Sequence, residues 1–345
     1  MPMRSRMLRI GLIGAGRMGS RHAELLRQEP NVQVVAACDL VLERAQAVAT
    51  TWDGQAYTRY TEMLEREELD AVYVCTPTYN HAEIALACVE RGLPLFLEKP
   101  VDLDLKAAGR LLQAVEERNL LASVALHWRY TRGYEAAAWA MEGRPVSLVN
   151  LRWYWTRPPA GWMWDRQRAG GQIVDQNTHL IDLAQALVGD ITHVHAFYNE
   201  KLTNLDQGFD NWDSYAVSFR FRNGAVGLCA GTYSLFPEIQ AGPTADFALR
   251  DELLRVTDRG AARFTADGVD EWSNEGPFRL GVNRAFIRAL RTGDHGLIRS
   301  TLRAGFRSTA VALAANHAAQ TGETVEVDAF IAQQTDLPQH FLAQP

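Results

Sequence analysis

The chain has 345 residues, 47% of them hydrophobic, enough to fill the cores of two domains. Its 35 basic and 41 acidic side chains leave a net charge of −6, and no basic stripe marks a nucleic-acid or membrane-surface partner. Residues 1–7 are basic, but Gly14 and Gly16 interrupt the apolar run behind them. No secretory leader is therefore expected, nor does any run reach the roughly eighteen apolar residues of a membrane span.

In chain order, residues 8–13 read as a strand running into Gly14-Ala15-Gly16-Arg17-Met18-Gly19, and residues 18–28 as an amphipathic helix. A second apolar run, 32–38, closes on Asp39, twenty residues past Gly19. This is the setting of a dinucleotide-binding turn. The first glycine permits the tight turn, the second lets backbone approach a pyrophosphate, and the third lets helix pack on strand. The helix start, with Arg17 and Met18, presents unpaired N–H groups to phosphate. Asp39 can accept from the adenosine ribose hydroxyls and repel a 2′-phosphate. Leu40 beside it carries no positive charge, and the nearby base, Arg44, lies on the next helix. The expected cofactor is therefore NAD rather than NADP. The competing reading is a glycine-rich turn in an ordinary βα unit.

Strands at 70–76, 94–98 and 121–126 alternate with helices at 42–52, 61–67, 80–91 and 103–118. Such alternation predicts the α/β class: a doubly wound parallel sheet covered on both faces. Ligands of these sheets bind at the carboxyl ends of strands. Thr76-Pro77 and Glu98-Lys99-Pro100 should therefore border the same crevice as the glycine loop. The pattern changes at His127. A helix at 133–141 leads to an alternating strand at 147–155, a loop rich in Pro, Gly and Trp, and a helix at 171–188. Strand-like runs at 194–201, 215–222, 225–233 and 247–257, with a short Asn223-Gly224 turn, predict an antiparallel sheet. Helices at 278–291 and 298–320 follow. The expected division is 1–126 for nucleotide binding and 127–345 for substrate binding and oligomerisation. Cys38, Cys75, Cys88 and Cys229 lack paired metal-ligand spacing. They read as core residues of a cytoplasmic protein rather than as reactive or metal-binding thiols.

Lys99 ends a strand ahead of Pro100, which biases it toward extended geometry and would aim its ammonium into the crevice. The alternative is a surface lysine closing a strand. Asp175, His179 and Asp182 share one predicted helix, and spacings of four and three put them on one face. A histidine bracketed by carboxylates suits a general base near neutral pH. A structural Asp–His pair and a divalent-metal site compete with that reading. No further ligand cluster accompanies the three, so no metal is expected. Trp153, Trp155, Trp162 and Trp164 place four of nine tryptophans within twelve residues. Flat indoles suit the C–H faces of sugars, and their N–H can donate to hydroxyls. Trp162 and Trp164 are the candidates for sugar contact, whereas Trp153 and Trp155 alternate on one strand face and can cover a sheet or a subunit interface.

Together these residues resemble the Gfo/Idh/MocA (glucose–fructose oxidoreductase / inositol dehydrogenase) family. The likeness runs through Gly14 to Gly19, Cys75-Thr76-Pro77 with Asn80-His81, Glu98-Lys99-Pro100, and Gly170-Gly171 followed by Asp175, His179 and Asp182. It extends to Ile298-Arg299-Ser300 and Ala314-Ala315-Asn316. The resemblance implies a Rossmann domain followed by an α/β domain whose open, mostly antiparallel sheet commonly forms a dimer or tetramer interface. It implies cofactor contacts from Thr76, Pro77, His81, Glu98 and Lys99, with Lys99 also reaching the substrate hydroxyl. Asp175 and His179 would flank that hydroxyl, with His179 as acid/base. Two stretches depart from the family. A glycine often stands between this Asp and His, where the chain has Gln176-Asn177-Thr178, and an Asn-Arg-Arg-like run is replaced by His127-Trp128-Arg129-Tyr130. Both should line the substrate pocket, so Trp128 and Arg129 are expected there with Trp162, Trp164 and Asp182. The implied activity is hydride transfer between NAD and a secondary alcohol of a sugar, inositol or related polyol, by a homodimer or homotetramer. The alternatives are a non-catalytic sugar- or dinucleotide-sensing regulator and an NAD-dependent glycoside hydrolase without net redox. Retention of Lys99, Asp175 and His179 argues against the regulator.

Overall fold

Six short runs pair in parallel because helices cover both faces of the sheet they form, and the runs at 71–74 and 95–97 are apolar and buried throughout. A computed structural model describes residues 6–239, 241–338 and 341. Residues 1–5 of the basic N-terminal stretch lie outside the described residues. The first elements are β1 (Leu8–Ile13), α1 (Arg17–Leu26), β2 (Val32–Cys38), α2 (Leu42–Trp52), β3 (Gln55–Tyr57) and α3 (Tyr60–Arg66). They continue with β4 (Ala71–Val74), α4 (His81–Glu90), β5 (Leu95–Leu97), α5 (Leu105–Glu117) and β6 (Ala122–Val124). The sheet order is β3-β2-β1-β4-β5-β6, all parallel. Every residue of β4 and β5 is buried. The strand order reverses between β1 and β4, which puts the glycine turn after β1 beside the carboxyl end of β4. The sequence reading omits β3, a three-residue edge strand too short to show a period.

Beyond β6 come α6 (Arg132–Met141), β7 (Val146–Tyr154), α7 (Arg166–Ala169), a π-helical turn (Ile173–Asn177) and α8 (Thr178–Val188). Then follow β8 (Ile191–Asn199), β9 (Ser214–Phe221), β10 (Val226–Thr232), β11 (Thr244–Leu249), β12 (Leu253–Thr257), β13 (Gly260–Thr265) and β14 (Gly268–Ser273). The chain continues through α9 (Leu280–Thr292), α10 (Leu302–Thr321), β15 (Val325–Glu326) and α11 (Val327–Gln334). The second sheet runs β14-β13-β12-β11-β7-β10-β9-β8-β15. Its β7 and β10 pair in parallel and its other neighbours antiparallel. The run expected as one strand over 247–257 is a hairpin of β11 and β12, because Arg250-Asp251-Glu252 turns with Asp251 at φ +65°. The unread β14 is almost entirely exposed, so burial stamps no period on it.

The described chain divides into two units, Met1–Ala125 with Arg279–Arg303, and Leu126–Phe278 with Ala304–Pro345. The expected boundary after 126 is thus crossed again: α9 belongs to the first unit. It buries Val282, Phe286 and Ile287 there, with Phe286 edge-on to Tyr73 and Phe96 at 5.6 and 5.5 Å between ring centroids. All four cysteines are buried and free, and burial pushes the Cys38 thiol up to about 11 and the Cys88 thiol up to about 12. Among the described residues no helix is long and apolar enough to cross a membrane.

Candidate active site

In the first unit, two of the three motif glycines are required by the chain itself. Gly14 takes φ +91°, and a Cβ there would lie 2.5 Å from the Cys75 carbonyl carbon. A Cβ on Gly19 would lie 1.9 Å from the Gly14 oxygen. A Cβ on Gly16, by contrast, would meet no atom within 4 Å, so the fold does not demand that glycine, and the space beside it is open to an approaching ligand. No side chain caps the N-terminus of α1. Its first N–H groups thus keep their capacity for an anion. Arg17 is exposed and Met18 half-buried on that first turn. Asp39 accepts the Ala15 N–H through one oxygen and the Val41 N–H through the other, both at 3.0 Å, and so fixes the turn that it borders. Arg44 stands 4.0 Å away from Asp39 with its side chain 60% exposed. Thr76 and Pro77 are half-buried beyond β4, and the buried Thr76 hydroxyl has no partner among the described residues. These features fit a bound dinucleotide.

Two expected cofactor contacts turn inward instead. His81 is buried, with Nε2 2.7 Å from the Thr76 carbonyl oxygen and Nδ1 2.8 Å from that of Pro100. It ties the segments after β4 and β5 together rather than facing a ligand. Glu98 is 5% exposed. One of its oxygens lies 2.9 Å from His22 Nε2, and the other accepts the Lys99 N–H at 3.0 Å. Burial raises the Glu98 carboxyl, but the His22 hydrogen bond and charge, with Lys99 and Arg279, outweigh it and hold the group at about 2. Lys99 itself is half-buried at the end of β5.

In the second unit, Gly170 and Gly171 at φ +74° and +82° lead into the π-helical turn. Asp175 sits in that turn, half-buried, and His179 in the first turn of α8, 4% exposed. The uniform 100° step expected between them therefore does not hold, because the π turn is wider than an α turn. The Tyr233 hydroxyl donates to Asp175; burial, and then the Asp175 charge, push that phenol well above its ordinary value. The His179 ring meets His127 edge-on at 4.4 Å and lies near-parallel to Trp153 at 6.3 Å.

Asp182 is fully buried. It accepts from Arg129 Nε at 2.8 Å, Arg129 Nη2 at 2.7 Å and the Ser308 hydroxyl at 3.2 Å. Asp182 and Arg129 are thus engaged with each other rather than with substrate, because a buried carboxylate needs its counter-ion. Trp128, 1% exposed and edge-on to Phe278 at 5.3 Å, is a core residue and not a pocket wall. The Trp164 indole donates to the Pro158 carbonyl at 2.8 Å and carries the Arg157 guanidinium at 4.8 Å over its ring, so its N–H is not available to a hydroxyl. Trp162 is half-buried in the same turn, Gly161–Trp164. Tyr233 and Trp153 are the neighbours of Asp175 and His179 that sequence reasoning missed. Tyr233 closes an apolar run without a motif, and Trp153 reads equally well as sheet cover. Among the described residues no group of three or more His, Cys, Asp or Glu side chains is arranged to hold a metal.

Residues 8–126 match the family model of the GFO/IDH/MocA oxidoreductases with an NAD-binding Rossmann fold, and residues 143–240 match the GFO/IDH/MocA C-terminal domain. The myo-inositol 2-dehydrogenase of Thermotoga maritima is 27% identical over 226 residues, 64% of this chain and 67% of its own. The inositol 2-dehydrogenase of Rhizobium meliloti is 29% identical over 231 residues, 65% of this chain and 68% of its own. A solved structure of levoglucosan dehydrogenase in complex with NADH shares the fold, with a TM-score of 0.80 and 21% identity, covering 93% of this chain and 99% of that one. The turn after β1, the strand order around it and both domain matches agree: the chain belongs to the Gfo/Idh/MocA family of oxidoreductases, and its first unit is an NAD-binding Rossmann domain.

Proposed function

We propose that the protein is an NAD-dependent dehydrogenase that oxidises a secondary alcohol of a sugar, inositol or related polyol. The observation that carries this reading is the Asp175–His179 pair at the π-to-α junction, with the Tyr233 hydroxyl on Asp175 and two aromatic rings around His179. A protein that only senses a sugar needs no such proton acceptor. The inositol dehydrogenases among its relatives support the substrate class. When bound, NAD would supply the two-electron acceptor for the carbinol hydrogen. His179 takes the hydroxyl proton as the carbonyl bond forms, and Asp175 orients the hydroxyl and balances the imidazolium. Lys99 donates to the same oxygen and offsets its developing negative charge.

The reading includes cytoplasmic work as a homodimer or homotetramer. Leu148, Val226, Leu228 and Phe197 stand exposed on one face of the second sheet, and light scattering on the free protein reads the assembly. The activity is tested with a panel of polyols and aldoses, each with NAD, followed by NADH absorbance. Growth of that signal with one member supports the dehydrogenase. Sugar binding without NADH points to a regulator, and glycoside cleavage without NADH release to a hydrolase.

A further inference from the structure

Behind Lys99 lies a chain of buried hydrogen bonds that begins far away in sequence. Asn283 of α9 donates through Nδ2 to the Arg279 carbonyl at 2.8 Å, which orients its amide. The amide oxygen then faces His22 Nδ1 at 3.0 Å, and His22 Nε2 faces Glu98 Oε1 at 2.9 Å. The second Glu98 oxygen accepts the Lys99 N–H at 3.0 Å. His22 and Asn283 are fully buried, and the His22 ring is enclosed by Phe96 at 4.9 Å and Tyr73 at 5.9 Å. Both groups facing the ring nitrogens are acceptors. One is an amide oxygen whose partner nitrogen is already committed, and the other is a carboxylate held ionised. Both acceptors are satisfied together only when each ring nitrogen donates, the doubly protonated form that pairs with Glu98. Lys99 and Arg279 are the further charges acting on that carboxylate.

We propose that His22 and Asn283 are positioning residues for Lys99: they hold Glu98 as a charged, immobile acceptor, and Glu98 holds the backbone from which the Lys99 ammonium projects. This rests on the role given to Lys99 above. A hydrophobic replacement would fill the same space but leave Glu98 to rotate or take up a proton. A displacement of about an ångström, or loss of such a supporting partner, costs roughly 10- to 100-fold in rate.

The test combines side-chain nitrogen NMR of histidine-labelled protein with kinetics on the substrate identified by the panel. His22→Gln assigns the ring signals. The expected spectrum shows both His22 nitrogens protonated at neutral pH, and a neutral tautomer overturns the proposal. Asn283→Leu and His22→Gln should lower turnover roughly 10- to 100-fold with NAD affinity nearly unchanged. Asn283→Asp, which keeps an acceptor opposite Nδ1, should restore most of what Asn283→Leu loses. Thermal unfolding identifies a variant that fails to fold, and the remaining variants and the spectrum of the native protein then decide. NAD affinity falling in parallel with turnover overturns the proposal, as does native turnover in both variants while Lys99→Ala is impaired. Native turnover in Lys99→Ala instead removes the reading of Lys99 itself.

Discussion

Asp175 and Asp182 have the same side chain but different partners: a tyrosine hydroxyl on one, and a bidentate guanidinium with a serine hydroxyl on the other. Arg129→Ala should therefore act on stability, costing about 3–5 kcal/mol by leaving a fully buried carboxylate unpaired. Urea unfolding measures this, and replacing Asp182 by Leu together with Arg129 by Met should recover most of it. His179→Ala should instead lower turnover by about 10²- to 10⁴-fold. Its unfolding midpoint and NAD affinity should hold, which separates a proton carrier from a core residue. Asp39 has a structural part, and we assign it a selective one as well. Because it accepts the Ala15 N–H, Asp39→Asn keeps an acceptor for the turn while removing the charge that repels a 2′-phosphate. The expected outcome is NAD affinity close to native and a clear gain in NADP affinity, read by titrating both cofactors.

The glycine turn shows how one element serves two demands. Gly19→Ala places a Cβ against the Gly14 oxygen, whereas Gly16→Ala meets no atom of the chain. Gly19→Ala should lower the melting temperature of the cofactor-free protein, and Gly16→Ala should leave it unchanged while weakening NAD binding. The converse pattern would mean that Gly16 serves the fold rather than the cofactor. The π-helical turn before α8 was not legible in the sequence, because its residues also fit a continuous α-helix. Its effect is nevertheless local to the site, since it resets the angle between Asp175 and His179. The Asn223-Gly224 turn and the alternation through β9 were legible for the opposite reason. One face of that strand is buried and the other exposed, and the residues carry the imprint.

At the scale of the whole molecule, carboxylates held below their ordinary range tie stability to acid, Glu98 and Glu252 among them. Burial raises Glu98, but the His22 hydrogen bond and charge, with the charges of Lys99 and Arg279, outweigh it and hold the carboxyl at about 2; Glu252 is held at about 2 chiefly by hydrogen bonds from Arg263 and Arg144. In an unfolded chain both would titrate at about 4.3. Their folded values are depressed, so each contributes stability in full above that pH and loses it as pH falls toward 2. Unfolding free energy should decline through that window, and Glu98→Gln should flatten the slope. An unchanged slope in that variant would mean that the Glu98 carboxyl is not held below its ordinary value in the fold.

The sequence by itself determined what short-range sterics and periodicity control: the glycine turn with its following helix, the alternation that demands a parallel sheet, and the residue types available for acid/base work. Tertiary structure decided the partners. His22 meets Asn283 across 261 residues of sequence, and Arg129 meets Asp182 across 53. The Tyr233 hydroxyl reaches Asp175 from the end of the β9–β10 hairpin. No period encodes such pairings, because a buried charge accepts whichever complementary group the packing of distant elements brings to it. The same holds for α9, whose apolar face is legible as a stripe but whose destination, the first unit, depends on the aromatic surface that Tyr73 and Phe96 offer it.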